Sequence, residues 1–247
     1  IIVILNNYTY NNKKMKISII VPCYNECKTI ERLVDKLILL NIRDKQIIVV
    51  DDGSNDGSRK ILEEKIESKI DTVIYHKVNK GKGAAIISGK KALKGEIVVI
   101  QDADLEYDPE DLIKMYKIIK EGKTNIVYGS RVLGKNRYLQ KSNFINIYRV
   151  FFNHVLTIWS NIINKQKLTD AHTCYKMFTR KIFDKIELKE QGFAFCPEIT
   201  TKASKLKESI MEVPINYNGR QFQEGKKIST LDGVRAFYAV IKYKMID

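Results

Sequence analysis

The chain has 247 residues, 44% of them hydrophobic, with 43 Lys and Arg against 29 Asp and Glu and a formal net charge of +14. That is enough apolar sequence for one sizeable domain core, and the excess of positive charge favours anionic partners such as phosphorylated substrates or anionic lipid headgroups. The lysines are scattered rather than gathered into an arm, which argues against a nucleic-acid tail. The four cysteines and three histidines lack zinc-binding spacing, and no disulfide framework is visible, as in a reducing cytosol.

The opening Ile1–Lys14 is expected to lie outside the functional domain, and its IIVIL run is too short for a membrane span. Lys16–Tyr24 (KISIIVPCY) is a near-continuous apolar run, the pattern of a parallel strand covered on both faces. Ile30, Leu33, Val34, Leu37 and Leu40 then recur at helical spacing. Gln46–Asp51 predicts a second buried strand ending in DDGSNDGS, followed by a helix to about Ser68 and a short strand at Thr72–His76. NKGKGAA (Asn79–Ala85) opens a helix, Glu96–Asp102 is the fourth strand, Pro109–Glu121 a helix and Asn125–Gly129 a strand. Such alternation predicts a doubly wound α/β sheet.

Beyond Arg131 the alternation stops. Leu139–Gln166 has apolar residues spaced at threes and fours, an amphipathic helix that could cover the sheet, pair with another helix or lie on a membrane surface. Thr169–Phe178 reads as a loop entering a strand, Gln191–Thr200 leads into a helix, Glu212–Tyr217 is a strand, and Asp232–Met245 closes the chain as a helix.

In doubly wound sheets ligands bind beyond the carboxyl ends of the strands, and four polar clusters sit where predicted strands stop: Tyr24-Asn25-Glu26, Asp51-Asp52, Asp102-Ala103-Asp104 and Gly129-Ser130-Arg131. Asp102, Asp104 and Glu106 alternate along an extended stretch, so their carboxylates project to one side and call for positive charge. A hard cation, Mg²⁺ or Mn²⁺, suits one or two carboxylates plus a substrate diphosphate. An acidic turn capping the helix after Pro109 is the plainer alternative. Lys80 and Lys82 flank Gly81 before a helix, a position suited to phosphate and equally open to surface charge.

Taken together, VPCYNE, VVDDGSNDGS, NKGKGAA, QDADLEYDP, YGSR, LTDAHTCYK, FCPE and R-x-x-x-E-G-K-K-I resemble, in order, the motifs of family 2 glycosyltransferases, closest to the dolichyl-phosphate mannose synthase and undecaprenyl-phosphate glycosyltransferase branch. The likeness covers roughly Lys16 to Lys244. It implies a GT-A fold, a Rossmann-like, mostly parallel sheet with helices on both faces, in one domain over 15–247. Residues 15–131 would form the donor-binding half and 132–247 the acceptor half. It also implies a metal-dependent, inverting hexosyltransferase that uses GDP-mannose or UDP-glucose as donor and a polyprenyl phosphate as acceptor.

By the same resemblance Pro22, Tyr24, Glu26 and Asp51 line the nucleobase and ribose, with Lys82 toward the phosphates. Asp102 and Asp104 form the Asp-x-Asp pair for metal and donor, and Glu106 is a further metal-proximal carboxylate. Ser130, Arg131 and Arg220 match the acceptor-phosphate site, with Lys227 in the closing loop. Asp170 and Glu198 are the candidate bases should the acceptor be a sugar hydroxyl; otherwise Asp170 orients a loop, and Glu198 caps a helix and pairs with a cation. Asp52 and Asn55-Asp56-Gly57 read more comfortably as a turn. Near relatives often carry Gly-Glu-Ser-Lys after the Arg, where this chain has QEGKK (Gln223–Lys227), which leaves the acceptor open. Their C-terminal membrane helices have no counterpart here. The expected location is therefore peripheral, on the cytoplasmic membrane face, reached through positive charge, the amphipathic segment and any separate membrane partner. The rival expectations are a same-fold enzyme acting on a saccharide hydroxyl and a catalytically silent nucleotide-sugar-binding protein.

Overall fold

The computed structural model describes residues 15–133, 144–220 and 230–246, with side chains from 150 and 233 onward in the two helices that open the later segments. The expected extension Ile1–Lys14 lies outside the described residues, as do Lys227 and the QEGKK segment.

β1 (Ile17–Cys23), β2 (Lys45–Asp51), β3 (Thr72–Tyr75), β4 (Ile97–Ile100), β5 (Ile126–Ser130), β6 (Lys176–Thr179) and β7 (Ile210–Pro214) form one seven-stranded sheet in the order β3-β2-β1-β4-β6-β5-β7. All pairings are parallel except those of β6, which runs antiparallel to both β4 and β5. The alternation of side chains along each strand divides the core in two. Ile19, Val49 and Val99 face a layer built on α1 (Ile30–Leu39) and α4 (Asp111–Lys120). Ile20, Ile48 and Ile100 face the layer of α3 (Lys82–Lys90), α6 (Arg180–Lys185) and α7 (Phe195–Lys205). Near-continuous apolar strands therefore follow from a sheet covered on both faces.

Two expected elements come out differently. The helix expected up to Ser68 is α-helical only over α2 (Ser58–Ile61), then winds wider over Leu62–Ile66 and tighter over Glu67–Lys69. The strand expected at Glu212–Tyr217 is shifted back to β7, because its pairing with β5 runs from Ile126↔Ile210 to Ser130↔Pro214. α6 was not foreseen: its six residues are too short to show a helical period. The long amphipathic segment is α5 (Phe144–Asn164), and α8 (Thr230–Met245) packs beside it, with Trp159 and Phe237 rings 6.2 Å apart.

β2 lies to one side of β1 and β4 to the other, so the switch point of the winding falls between β1 and β4. Ligand crevices open at the carboxyl ends of strands beside such a point. Register sets Cys23 opposite Asp51 and Ile20 opposite Ile100, which brings the ends of β1, β2 and β4 to one rim.

Candidate active site at the strand ends

Two carboxylate loops form the acidic side of the rim. Asp104 Oδ1 accepts the Glu106 backbone N–H at 3.0 Å, and Leu105 between them takes a positive φ of 60°, a left-handed conformation that costs energy for a branched side chain. The short turn holds Asp102 and Asp104 close together. Burial raises the Asp102 carboxyl to about 7, helped by Cys174 and opposed by Lys82. Burial, Asp102 and Glu106 together raise Asp104 to about 6, against the pull of Arg220. Burial thus outweighs the nearby cations and keeps both carboxyls above the ordinary carboxylate range.

Cations from elsewhere in the chain meet them. Lys82, in the first turn of α3, lies 2.5 Å from Asp102 Oδ1 and 3.1 Å from Cys174 Sγ. Burial works against its charge, but Asp102 together with Cys174 and Cys196 more than offsets this, and the ammonium pKa lies well above its ordinary value. The loop that presents it is fixed by Asp52, which accepts the N–H groups of Lys80 and Gly81 and pairs with His76 Nδ1 at 2.6 Å. Asp52, read from the sequence as part of its own turn, is instead bonded to the neighbouring loop, while within its own turn Asp56 accepts the Ser58 N–H. Gly81 has φ +98°, and a Cβ there would come within 2.6 Å of the Gln191 carbonyl. Lys80 points into solvent.

Arg220, expected at the acceptor phosphate, lies against carboxylates of two loops. Its guanidinium forks onto Glu26, with Nη1 3.0 Å from Oε2 and Nη2 2.8 Å from Oε1, and Nη2 also lies 3.1 Å from Asp104. Burial opposes its charge, but the hydrogen bonds to Glu26 and the charge of Asp104 keep its pKa above the ordinary value. Glu106, the further carboxylate expected near the metal, accepts the Tyr217 hydroxyl at 2.6 Å and the Arg220 backbone N–H at 2.8 Å. Among the described residues no group of three or more His, Cys, Asp or Glu is arranged to hold a metal ion, so Asp102, Asp104 and Glu106 do not assemble as a three-carboxylate set. The Asp102–Asp104 pair still fits a hard cation that takes its remaining ligands from a diphosphate.

Asp51, expected against the nucleobase, is fully buried and bound by Arg59 Nε at 2.8 Å and Nη2 at 2.6 Å, with Ser54 N–H on its other oxygen. Pro22 and Tyr24 stand half-buried at the end of β1, beside this pair. Arg131, at the end of β5, donates from its backbone N, Nε and Nη2 to Asp170 at 3.1, 2.7 and 2.8 Å, and its guanidinium lies 5.3 Å over the Tyr217 ring. Asp170 is fully buried and its own backbone N–H is held by Glu212. Of its two expected roles, the orienting one matches this arrangement. Glu198 accepts the N–H groups of Lys189 and Glu190 at 2.7 and 2.8 Å and lies 3.0 Å from Lys202, again the capping and pairing alternative rather than a base. Ser130 turns inward to Thr169 at 2.7 Å and to the N–H groups of Val132 and Leu133, so its hydroxyl supports a turn instead of facing an acceptor phosphate.

Tyr217, Tyr107 and Cys174 are site residues that the motifs did not single out. Tyr107 stacks between Tyr175 (4.7 Å) and Tyr217 (5.1 Å) and bridges Tyr217 backbone to backbone, while its hydroxyl accepts the Cys174 N–H at 3.2 Å. Tyr107 and Cys174 lie inside the QDADLEYDP and LTDAHTCYK strings but Tyr217 lies in none, and the ring cluster joins residues 110 apart in sequence.

The family profile described as Glycosyl transferase family 2 matches residues 18–187. Among curated relatives, the UDP-N-acetylglucosamine–dolichyl-phosphate N-acetylglucosaminyltransferase of Methanococcus voltae is 29% identical over 93% of this chain and 96% of its own. The dolichol-phosphate mannosyltransferase of Pyrococcus furiosus is 28% identical over 93% of this chain, which spans 65% of that protein. The dolichyl-phosphate β-glucosyltransferase ALG5D of Trichomonas vaginalis is 28% identical over 85% of this chain and 68% of its own. These names belong to the branch that the motifs resemble. In fold, glucosyl-3-phosphoglycerate synthase from Mycobacterium tuberculosis, solved with Mn²⁺, uridine diphosphate and phosphoglyceric acid, superposes with a TM-score of 0.68 at 17% identity, covering 94% of this chain and 80% of that one. Mannosyl-3-phosphoglycerate synthase from Rubrobacter xylanophilus gives 0.64 at 18% identity, covering 93% and 72%. The fold is GT-A, the motifs stand in order along it, and the chain belongs to glycosyl transferase family 2.

Proposed function

We propose that the protein moves a hexose from a nucleotide-diphospho-sugar, GDP-mannose or UDP-glucose, onto a polyprenyl phosphate such as dolichyl or undecaprenyl phosphate. The observation that carries this reading is the meeting, at one rim, of the buried Asp102–Asp104 pair with two arginines, Arg131 and Arg220, joined through Tyr217 and Glu106. The names of the relatives from Methanococcus, Pyrococcus and Trichomonas support a lipid-phosphate acceptor and differ in the sugar.

Asp102 and Asp104 would hold Mg²⁺ or Mn²⁺ against the donor diphosphate. A divalent cation bound there supplies neutralisation of the charge that builds on the departing nucleoside diphosphate. Lys82 adds fixed positive charge beside Asp102. Arg131, locked by Asp170, offers a rigid guanidinium fork to an acceptor phosphate without moving its own charge. A phosphate oxygen is nucleophilic near neutral pH and needs no strong base. Attack on the anomeric carbon from the face opposite the leaving diphosphate inverts that centre. A hydroxyl acceptor would need a carboxylate base, and the two candidates, Asp170 and Glu198, have their oxygens bonded to Arg131 and to backbone N–H groups.

Peripheral attachment to the cytoplasmic membrane face belongs to the same proposal. Phe151, Phe152, Ile158 and Ile162 of α5 and Val234, Tyr238 and Met245 of α8 are exposed on neighbouring helices, as a surface-lying pair requires. No described helix is long and apolar enough to cross a membrane.

The test is a donor panel of GDP-mannose, UDP-glucose and UDP-N-acetylglucosamine with dolichyl and undecaprenyl phosphates, with and without chelator, read as sugar recovered in the lipid extract. Chelator-sensitive transfer to at least one lipid phosphate is expected. Transfer to a saccharide hydroxyl, with none to either lipid phosphate, would overturn the reading.

A further inference from the structure

The segment Tyr217–Arg220 is laid along the Asp104–Tyr107 loop by backbone contacts. Tyr217 bridges Tyr107, Asn218 N–H bonds the Glu106 carbonyl at 2.8 Å, and Arg220 N–H bonds the Glu106 carboxylate at 2.8 Å. The position of the Arg220 side chain therefore follows from strand-like pairing rather than from a surface rotamer. Its side chain is 21% exposed, and its guanidinium meets carboxylates from two loops: Glu26 after β1, and Asp104 and Glu106 after β4.

We infer that Arg220 is the internal counter-ion of the donor carboxylates, holding the place of positive charge until cation and nucleotide arrive together. The inference rests on the metal-dependent reading above and deepens it. A guanidinium cannot be neutralised by losing its proton, so while it sits 3.1 Å from Asp104 it repels a divalent cation approaching the same carboxylate. Cation alone then binds weakly. Cation with a nucleoside diphosphate brings its own negative charge, which offers Arg220 a second set of acceptors. Arg220 Nε is buried with no hydrogen-bond partner among the described residues, so one donor of the fork is unspent and available to a phosphate oxygen. The same side chain would thereby be neutralised by Glu26 before the donor is loaded and turned toward phosphate afterwards, so that cation and nucleotide bind together rather than the cation first.

The experiment is titration of the full chain with Mn²⁺, followed by the electron paramagnetic resonance of the free ion, with and without GDP or UDP. Arg220→Gln is expected to bind Mn²⁺ about tenfold more tightly than wild type without nucleotide, with the gap closing when nucleoside diphosphate is present. Arg220→Lys, which keeps the charge, should stay within about threefold of wild type on the same electrostatic grounds. Equal or weaker Mn²⁺ affinity in Arg220→Gln overturns the inference. Arg220→Met, which keeps the aliphatic stem, takes its place if circular dichroism shows the Gln variant unfolded, and is read the same way. Asp104→Asn separates this from the reading beneath it. Loss of Mn²⁺ binding there, with no change in Arg220→Gln, refutes the role of Arg220 alone. Undiminished Mn²⁺ binding in Asp104→Asn refutes the metal site itself.

Discussion

Replacing Asp170 by Asn separates anchoring from base catalysis. Asp170 is fully buried and accepts three hydrogen bonds from Arg131, two of them shorter than 2.9 Å, with a weaker one from Asn153 Nδ2 at 3.3 Å. Asn keeps the shape and one acceptor oxygen, but it removes the negative charge and turns an amide N–H₂ toward a guanidinium that has only donors. Breaking a buried ion pair on one side costs about 3–5 kcal/mol. The retained acceptor puts this case near the lower end, about 3 kcal/mol. For a domain of this size, about 2–4 °C per kcal/mol makes that a fall of about 6–12 °C in Tm. The kinetic signature of a loosened Arg131 is a raised KM for the phosphate acceptor with kcat changed less. The assay is differential scanning calorimetry paired with initial rates over a series of acceptor concentrations. A removed general base would instead cut kcat by about a hundredfold or more. An unchanged Tm with such a loss of kcat would refute the anchoring role and bring back a hydroxyl acceptor.

Gly83→Ala should destabilise the protein although alanine is the better helix former, because its Cβ would run into the Glu190 carbonyl. Overpacking costs about 1–3 kcal/mol against a gain in propensity of about 1, so a lower Tm and weaker nucleotide binding are expected, and an equal or higher Tm counts against the tight fit of loop 189–192 on α3. Burial, with Lys176 adding to it, holds the His172 imidazole down at about 3. The unfolded chain takes up that proton from about pH 6.5 downward while the folded one does not, so stability contributed by this group is present above 6.5 and lost as pH falls toward 3. A single proton limits the slope to at most about 1.4 kcal/mol per pH unit, less for a side chain that is only half-buried. Urea unfolding at pH 7 and 5 should show His172→Gln losing less stability than wild type, and identical losses would refute the assignment.

The parts of the site legible in the sequence are those fixed by local rules. Ile17–Cys23 and Lys45–Asp51 announce themselves as apolar runs because both faces of their strands are covered, and the polar residues that end them fall on the rim because parallel strands share a direction. The turn after β2 could be read from its own DDGSNDGS string, but the hold of Asp52 on Lys80 and Gly81 could not, because they lie 28 and 29 residues on. Arg220 could not be placed this way. Its main partner, Glu26, is 194 residues distant, and the pairing depends on β7 lying beside β5 and on Tyr217 reaching Tyr107. Charge alone could not choose between a donor carboxylate and an acceptor phosphate. The reversal of β6 was equally hidden, since a four-residue strand carries no mark of its direction.

That reversed strand bears on how the molecule can come apart. β5 is hydrogen-bonded on one side by β6 and on the other by β7, and both are supplied by the chain after Arg131. β4, which ends just before Asp102, also takes β6 as a neighbour. A chain cut after Arg131 would keep the donor-side carboxylates yet leave β5 with neither neighbour and β4 as a bare edge, open to pairing with another molecule. The portions of the chain before and after Arg131 are therefore interleaved in hydrogen bonding. Cooperative melting in a single transition is the behaviour this wiring favours, and severed fragments should recover a native sheet only by finding each other.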